Sequence, residues 1–452
     1  MNTVSVKNPF TQEIICECPL DDELIIKQKI DRCADAYKQP LTLKQKIEGL
    51  ERWAQLLTQQ KPLLAGLITQ EQGKPLIEAI GEVDYALSYI EYYAQLIKDE
   101  SFFEAKQTAD SVWVSLRSMG VCAFITPWNF PIAMLVRKIA PAIAAGNTVI
   151  AKCSELTPLS AKAMVQLFDQ AFNKSGLLEL CVSDAALFSS IIMQDSRVRK
   201  ISFTGSTRVG QLLIAQSAFD IKRLSLELGG DAPCIVSQFA DIDLAVAGIM
   251  QAKFRNAGQT CVAINHLYVH ESVEAELTAK LSEKIQQLVC GDGLDENTSI
   301  GPMIHAKAYE QTKQWVAQLM QSGAQILAVG QNAYDGTCFT PMLLKQNLYP
   351  DHNEHKEWFA PVLSMSSYSN LDKLIEHINQ SKMGLAAYLF TENDAEIKKG
   401  ARNIQVGMLA INTGVISNAY APFGGIKHSG YGREGALEGI KEFMLVHYCT
   451  AH

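Results

Sequence analysis

The chain has 452 residues, of which 48% are hydrophobic and 19% are charged, and its formal net charge is −8 at pH 7. This length exceeds what one hydrophobic core supports, so it predicts two or three domains, and the composition argues against disorder over most of the chain. Because no basic run could follow a phosphate backbone, the charge pattern argues against nucleic acid as a partner.

The N-terminus and the cysteines bear on the cellular compartment. The first twenty residues lack a signal peptide's charged start and apolar run, and no stretch of eighteen apolar residues could span a membrane. The eleven cysteines are odd in number and follow no repeated spacing, which argues against a disulfide framework. Cys16 and Cys18 have no nearby histidine or second cysteine pair, so we expect no metal site. These features predict a reduced, cytoplasmic protein that does not contact membranes.

The first quarter of the chain is predicted to be helical. Residues 22–99 carry apolar residues at three- and four-residue spacing, which is typical of amphipathic helices. The next segment, SVWVSLRSMGVCAF (111–124), has two alternating runs around a potential turn and predicts an exposed hairpin.

From residue 120 the pattern alternates between strand and helix. The predicted strands are GVCAFITP, NTVIAKCS and KISFTGS, and the predicted helices are PIAMLVRKIAPAIAAG, PLSAKAMVQLFDQAF and TRVGQLLIAQSAF. Such alternation predicts a parallel sheet with helices on both faces, which is the α/β class. Further alternation over 232–420 predicts a second α/β unit, with LELGGDAP (226–233) as the junction.

A dinucleotide would bind beyond the carboxyl ends of such strands, which carry TPWNFP, KCSELTP and FTGSTRVG. The last string enters a helix whose free N–H groups could hold a pyrophosphate. By contrast, GYGREG (430–435) matches G-x-G-x-x-G, but the residues before it form a turn-rich segment and not a strand. We therefore interpret GYGREG as a glycine-rich loop.

The string FRNAGQTCVAIN (254–265) places Cys261 just after a glycine turn. Considered alone, this string favours an inert buried thiol, because free cysteines usually pack as small hydrophobic residues. The alternative is a reactive nucleophile, which requires a base nearby.

From about residue 40 to the C-terminus the chain resembles the NAD(P)-dependent aldehyde dehydrogenase superfamily. The resemblance rests on seven motifs in the family's order: ITPWNFP, AGNTVIAKCSELTP, FTGSTRVG, LELGGDAP, FRNAGQTC, EWFAPV and INTGVISNAYAPFGGIKHSGYGREG. It implies a Rossmann-type cofactor domain, an α/β catalytic domain and a small β oligomerisation arm. It also implies that the protein oxidises an aldehyde with NAD, NADP being possible.

The resemblance assigns the chemistry to four residues. Cys261 is the nucleophile, which forms a thiohemiacetal and, after hydride transfer to the nicotinamide, a thioester. Asn129 donates to the oxyanion together with the backbone N–H of Cys261, a contribution worth about 3–4 kcal/mol in comparable sites. Glu227 activates the hydrolytic water, and Lys138 supports the proton route. From local sequence alone, Asn129 could instead cap a helix, Glu227 could be an ion-pair partner at a strand edge, and Lys138 could be a solvated lysine on a helix.

Cofactor residues follow from the same resemblance. Glu155 falls where a carboxylate accepts hydrogen bonds from the adenosine ribose and would repel a 2′-phosphate, which favours NAD. Glu357 matches the carboxylate that holds the nicotinamide ribose. The full predicted set is Thr126, Pro127, Trp128, Lys152, Ser154, Glu155, Thr204, Gly205, Ser206, Leu228, Glu357 and Phe359.

The substrate prediction comes from the family's succinate-semialdehyde dehydrogenase branch, which the chain resembles most. Arg137, Arg255 and Ser417 match the residues that hold the substrate's carboxylate in that branch, and guanidinium groups pair bidentately with carboxylates. The predicted substrate is a small aldehyde, with succinate semialdehyde as the first candidate and glutarate semialdehyde or another aldehyde as alternatives. All three residues could instead bridge surfaces of the two domains.

Several positions depart from the family pattern. Cys153, Asp231 and Ala360 replace a proline, an asparagine and a glycine, and Ala263 stands where many relatives have a second cysteine. Asp184 stands where a glycine usually lies close to the adenine, so it could narrow that pocket or repel phosphate. Two other function classes therefore stay open: a fold-retaining protein with weakened cofactor binding, and a coenzyme-A-acylating enzyme. The intact Cys261, Glu227 and Asn129 favour hydrolytic oxidation.

The resemblance also divides the chain. Residues 1–99 and 119–227 are predicted to form the dinucleotide-binding domain and 228–427 the catalytic domain. Residues 100–118 and 428–452 would form an oligomerisation arm, because the alternating strings SVWVSLRS and EFMLVHY need a partner to cover their edges. We expect a homodimer or homotetramer.

Overall fold

The computed structural model describes residues 2–334, 336–346 and 357–451. Residues 1 and 452, at the outer limits of the predicted domains, and 347–356, within the predicted catalytic domain, lie outside the described residues. The helices are α1 (Glu23–Tyr37), α2 (Leu43–Gln59), α3 (Lys61–Gln72), α4 (Leu76–Leu96), α5 (Ala133–Ala144), α6 (Pro158–Phe172), α7 (Ala185–Gln194), α8 (Thr207–Ser217), α9 (Ile242–Phe254), α10 (Glu274–Gln286), α11 (Ala306–Gln321), α12 (Leu371–Asn379), α13 (Asp394–Asn403) and α14 (Ala436–Lys441).

The strands form two large sheets and three small ones. They are β1 (Thr3–Lys7), β2 (Ile14–Pro19), β3 (Lys106–Ala109), β4 (Val112–Ser118), β5 (Val121–Ile125), β6 (Thr148–Lys152), β7 (Leu178–Cys181), β8 (Val198–Thr204), β9 (Arg223–Glu227), β10 (Pro233–Val236), β11 (His266–His270), β12 (Val289–Cys290), β13 (Gln325–Val329), β14 (Gln331–Asn332), β15 (Met342–Lys345), β16 (Val362–Tyr368), β17 (Ala386–Phe390), β18 (Met408–Ile411), β19 (Gly430–Tyr431) and β20 (Met444–Thr450). The α/β class predicted from the alternating pattern is confirmed.

The first large sheet has the order β19-β9-β8-β5-β6-β7, in which β5 to β9 are parallel and β19 is antiparallel. From β5 the chain adds β6 and β7 on one side of the sheet, and it then crosses to the other side of β5 to add β8 and β9. The switch point of the sheet therefore lies between β5 and β8, where ligands of doubly wound sheets bind. Alternate residues of β5 face opposite cores: Cys122 and Phe124 pack with α2 to α6, and Val121 and Ala123 with α1, α7 and α8. Burial on both faces explains the continuous apolar strands of the sequence.

The second large sheet has the order β13-β15-β16-β11-β10-β17-β18, and all neighbouring pairs except β13–β15 are parallel. The chain passes from the first sheet to the second between β9 and β10, which is where the sequence places the junction LELGGDAP. The loops at the carboxyl ends of β5 and β9 meet the loop between α9 and β11.

The hairpin predicted over 111–124 is wrong. Its two runs are β4 and β5, which belong to different sheets: β4 pairs with β3 and β20, whereas β5 is a central strand of the first large sheet. Gly120, at φ +124°, redirects the chain between them, and the side chain of Asn147 accepts the N–H groups of Met119 and Gly120. Alternation predicts that two segments are extended, but not which strands they pair with.

The C-terminal segment divides between two places. Residues 430–431 pair with β9, and α14 packs against α5, so this part lies on the first large sheet. Only β20 continues into the three-stranded sheet β20-β4-β3. Within the described residues no helix is long and apolar enough to cross a bilayer.

Candidate active site

The loop before Cys261 has an unusual backbone. Asn256, Ala257 and Gly258 follow one another at φ +55°, +53° and +70°, a left-handed conformation that residues with side chains rarely adopt. The chain therefore reverses sharply at the end of α9. A Cβ at Gly258 would lie 2.3 Å from the carbonyl oxygen of Ala360, so glycine is required there. Consecutive strained residues of this kind persist only where surrounding contacts hold them.

Those contacts centre on Asn256. Its backbone N–H donates to Glu78 Oε2 over 2.7 Å, and its Oδ1 accepts from Gln72 Nε2 over 2.8 Å. Its Nδ2 donates to the carbonyl oxygens of Asn129 and Gln259 at 2.9 and 3.1 Å. The turn is thereby tied to α3, α4 and the PWNFP loop. Sequence reasoning missed Gln72, Glu78 and Asn256, since nothing in their spacing indicates that they meet.

Asn129, the predicted oxyanion donor, lies beside the same turn. Its side chain is buried, and Nδ2 donates to the carbonyl oxygen of Gln259 over 3.0 Å, two residues before Cys261. In the part of the chain that the structure describes, its Oδ1 has no hydrogen-bond partner. The amide therefore lies close to the nucleophile loop.

Cys261 is half-buried in this setting. A Cβ at Gly230 would lie 2.3 Å from the Cys261 carbonyl oxygen, so only glycine permits this approach of the two loops. Burial raises the pKa of the Cys261 thiol to about 12, the negative charges of Glu357 and Glu227 add to that effect, and Arg137 opposes it. The thiol is therefore protonated at neutral pH and needs a proton acceptor before it can attack.

Glu227, at the end of β9, is the candidate general base for the water that hydrolyses the thioester. The side chain is buried, and among the described residues neither carboxylate oxygen has a hydrogen-bond partner. Burial raises the pKa of Glu227 well above its ordinary value, the charge of Glu434 adds to the shift, and Arg137 and Lys138 oppose it. A buried carboxyl group whose pKa is shifted towards neutrality suits general base chemistry.

Glu434 organises the cations around Glu227. Lys138 Nζ and Arg137 Nε both form ion pairs with its carboxylate, and all three side chains are buried. Burial alone would raise the pKa of Glu434, but Arg137 and Lys138 outweigh that effect and lower it. Sequence reasoning missed this residue. It lies inside GYGREG, which is predicted to be a loop but begins as the short strand β19, paired with β9.

A cavity of about 180 Å³ leads to Cys261, the predicted nucleophile, and its lining includes Arg255, Ser417, Tyr85, Phe423 and the acidic residues Glu78 and Glu82. The Arg255 guanidinium lies 5.4 Å from the centre of the Phe130 ring, and within the residues that the structure describes no hydrogen bond or ion pair engages it. The charge of Arg255 is attracted to that of Glu78, but among the described residues its N–H groups have no acceptor, so this half-buried guanidinium can bind an anionic group in the cavity.

Arg137 has a different position from Arg255. Its guanidinium is paired with Glu434, lies 4.3 Å from the centre of the Phe423 ring and donates to the Tyr85 hydroxyl over 3.5 Å. It is therefore located behind two residues that line the cavity. Tyr85, which sequence reasoning missed, also shares a 2.8 Å hydrogen bond with the Tyr89 hydroxyl.

The predicted cofactor residues gather at the carboxyl edge of the first large sheet. The hydroxyls of Thr126, after β5, and Thr204, at the end of β8, are buried and lack partners within the described residues. Ser206 caps α8 by accepting the N–H of Val209, so the N-terminus of this helix faces the same edge. Lys152, at the end of β6, donates to Glu155 over 2.9 Å. The other members of the set flank these positions: Pro127 and Trp128 after β5, Ser154 after β6, Gly205 after β8 and Leu228 after β9.

Glu357 and Phe359 close the edge from the second large sheet. Glu357 Oε1 accepts the N–H of Gly230 over 3.4 Å, and burial raises the pKa of this carboxyl group to about 8. The rings of Phe359 and Trp128 pack edge to face at 5.8 Å. Unpartnered hydroxyls, a helix N-terminus and flanking carboxylates form a donor and acceptor set that fits a dinucleotide.

Two departures from the family pattern have local explanations. The Asp184 carboxylate caps α7 by accepting the N–H of Leu187 over 2.8 Å, so it is occupied at a helix terminus. Cys153 is fully buried with its thiol 3.7 Å from the carbonyl oxygen of Cys181, and burial raises its pKa to about 12. Cys153 therefore behaves as a core residue.

Comparisons with known proteins agree over the whole chain. A model of the "Aldehyde dehydrogenase family" matches residues 1–448. A probable succinate-semialdehyde dehydrogenase of Sinorhizobium fredii, whose name specifies NADP(+), is 40% identical and covers 98% of this chain and 92% of its own. A glutarate-semialdehyde dehydrogenase of Pseudomonas putida is 38% identical, with coverage of 99% and 94%. The solved succinate-semialdehyde dehydrogenase from Burkholderia pseudomallei has 37% identity and a TM-score of 0.95, covering 100% of this chain and 94% of that chain.

Proposed function

Because the chain belongs to the aldehyde dehydrogenase family and is an enzyme that oxidises an aldehyde with NAD(P), we propose that its substrate is an ω-semialdehyde with a terminal carboxylate, succinate semialdehyde first. The observation that carries this proposal is the unpaired guanidinium of Arg255 in the cavity that contains Cys261. Ser417 lines the same cavity and supplies a hydroxyl donor. Relatives named for succinate and glutarate semialdehyde support the same substrate class.

In the proposed mechanism, residues of this chain supply the nucleophile, the oxyanion donors and the general base. The Cys261 thiol passes its proton to solvent and attacks the aldehyde carbon, and the Asn129 amide and the Cys261 N–H stabilise the oxyanion of the thiohemiacetal. The bound nicotinamide supplies the hydride acceptor. Glu227 then removes a proton from the water that hydrolyses the thioester. The Glu434 carboxylate holds Lys138 beside Glu227, where the lysine supports movement of that proton.

The carboxylate pocket predicts a selectivity. Succinate semialdehyde should exceed butanal, its near-isosteric neutral counterpart, by about 100-fold in kcat/KM, because leaving the guanidinium without a partner costs about 3 kcal/mol and each ~1.4 kcal/mol is a tenfold change in rate. In Arg255→Leu most of this preference should disappear while butanal oxidation persists. Steady-state kinetics with both aldehydes, and with glutarate semialdehyde to test chain length, provide the measurement.

Matched variants distinguish a loss of carboxylate recognition from a general loss of activity. Arg52→Leu, on the exposed face of α2, should leave the preference unchanged. Tyr85→Phe should weaken the preference for succinate semialdehyde several-fold, since we propose that the Tyr85 hydroxyl, which accepts from Arg137, in turn donates to the substrate's carboxylate. Tyr89→Phe should have a smaller effect, because the Tyr89 hydroxyl contacts only that of Tyr85 in this chain of hydrogen bonds. Equal kcat/KM for succinate semialdehyde and butanal in the unmodified enzyme would refute the pocket assignment.

We propose NAD as the preferred cofactor, supported by the carboxylate of Glu155 beside Lys152. A 2′-phosphate would meet that negative charge, so kcat/KM should be higher with NAD than with NADP, and Glu155→Gln should narrow the ratio. Asp184→Asn should leave the ratio unchanged, because asparagine caps α7 equally well. A preference for NADP in the unmodified enzyme, as the names of two relatives specify for themselves, would contradict this assignment.

We also propose a homo-oligomer, assembled through the three-stranded sheet β20-β4-β3. The edge strand β20 leaves Leu445, Val446 and Tyr448 exposed, and an unpaired apolar edge favours association with a second copy. Sedimentation at micromolar concentration should therefore give a dimer or tetramer, and a monomer would contradict the proposal.

We propose a cytoplasmic location for the protein. All eleven cysteines are free thiols in the structure, which supports this location.

A further inference from the structure

A cysteine and a lysine that do not line the cavity around Cys261 lie unusually close together. Cys18 in β2 is buried, Lys162 in α6 is half-buried, and Lys162 Nζ lies 2.7 Å from Cys18 Sγ. Lys162 and Pro19 also line a surface groove of about 600 Å³, so small molecules in solution reach the lysine of this pair and the residue next to Cys18.

The separation of these two atoms is short for sulfur. N–H donors lie about 2.7–3.2 Å from oxygen acceptors, and sulfur is the larger atom, so a hydrogen bond to it should be longer. Within the described residues, no carboxylate or carbonyl group competes for the Lys162 amine. One oxygen atom bonded to both Sγ and Nζ would hold them at a comparably short separation.

We propose that Cys18 and Lys162 form a reversible covalent S–O–N crosslink when the protein meets hydrogen peroxide. The Cys18 thiol first reacts with one peroxide to give a sulfenic acid and water, a two-electron oxidation of sulfur. A second peroxide oxidises the sulfenic acid and the neutral amine together, forming the O–N bond and releasing two waters. In sum, one thiol, one amine and two peroxides give S–O–NH and three waters. Two equivalents of a dithiol return the thiol, the amine and one water.

The crosslink would change stability and charge. It joins residues 144 positions apart, linking the N-terminal hairpin β1–β2 to α6. Such a closure restricts the unfolded chain more than the folded one, which already holds the two atoms together, so the oxidised protein should unfold at a higher temperature. The positive charge of Lys162 would be lost from the groove.

The test treats the full-length protein with hydrogen peroxide and analyses its peptides by mass spectrometry without reduction. We expect a linked pair of peptides containing Cys18 and Lys162, with a mass equal to their sum plus one oxygen minus two hydrogens. The melting temperature should rise by on the order of 5 °C, and dithiothreitol should reverse both changes. Activity is not the readout, because peroxide can also reach Cys261.

Three variants make the result decisive. Cys18→Ser and Lys162→Arg should abolish the linked peptide and the rise in melting temperature while retaining aldehyde oxidation, since both residues lie outside the cavity. Cys16→Ser, the neighbouring cysteine, should retain the crosslink. A disulfide between Cys16 and Cys18, or Cys18 oxidised to sulfinic acid with Lys162 unmodified, would overturn the proposal.

Discussion

Replacing Cys261 with alanine should lower aldehyde oxidation by at least ~10⁴-fold while leaving NAD(P) binding intact, because removing the nucleophile of a covalent mechanism has effects of this size. An aldehyde has no leaving group, and without the thiohemiacetal no hydride can depart. The measurement pairs steady-state turnover of succinate semialdehyde with cofactor binding by calorimetry.

The other cysteines provide the controls for that experiment. Cys234 is fully buried in β10 and burial raises its pKa well above the ordinary value, so Cys234→Ala should retain most activity. The same holds for Cys153→Ala, since this thiol also lies in the core. Turnover that survives in Cys261→Ala, or is lost equally in all three variants, would rule out the assigned nucleophile.

Replacing Glu227 with glutamine should separate the two halves of the reaction. A burst of reduced cofactor near one per active site should be followed by turnover slowed about 10²–10⁴-fold, because the amide cannot remove a proton from water. Stopped-flow absorbance of the reduced cofactor measures both phases. Glu179→Gln, at an ion-paired position of β7, is the matched control and should show no burst.

The pH dependence adds a second test of Glu227. Burial raises its pKa above the ordinary range, and only the ionised carboxylate accepts a proton, so thioester hydrolysis should accelerate as the pH rises through that raised value. This increase of the hydrolysis rate with pH should be absent in Glu227→Gln.

Coenzyme A tests the remaining alternative, which is an acyl-transferring enzyme. If coenzyme A accelerates the unmodified enzyme and appears as a thioester in the product, the reaction is acyl transfer and not hydrolysis.

Local sequence was sufficient for the elements of the fold. Apolar residues at helical spacing predicted the helices of residues 22–99, and the structure has α1 to α4 there. Short apolar strands that alternate with helices predicted the parallel sheet, because a strand buried on both faces needs no alternation of polar and apolar residues. The motifs around Asn129 and Cys261 identified the site through a resemblance, since they are contiguous in the chain.

Only the tertiary structure decided how distant residues meet. Glu434 pairs with Arg137 and Lys138, Glu78 holds the turn at Asn256, and the Tyr85 hydroxyl separates Arg137 from the cavity.

The physical reason for this division is the range of the interactions. Helical and strand periodicities arise from hydrogen bonds and sterics between near neighbours, so they are written in contiguous residues. Strand partners and ion pairs depend on which surfaces the whole chain brings into contact, which is why β4 and β5 were predicted to pair and do not. For the same reason, the sequence presented Arg137 and Arg255 as equivalent cations, whereas only Arg255 lines the cavity, and Arg137 is neutralised by Glu434 from the far end of the chain.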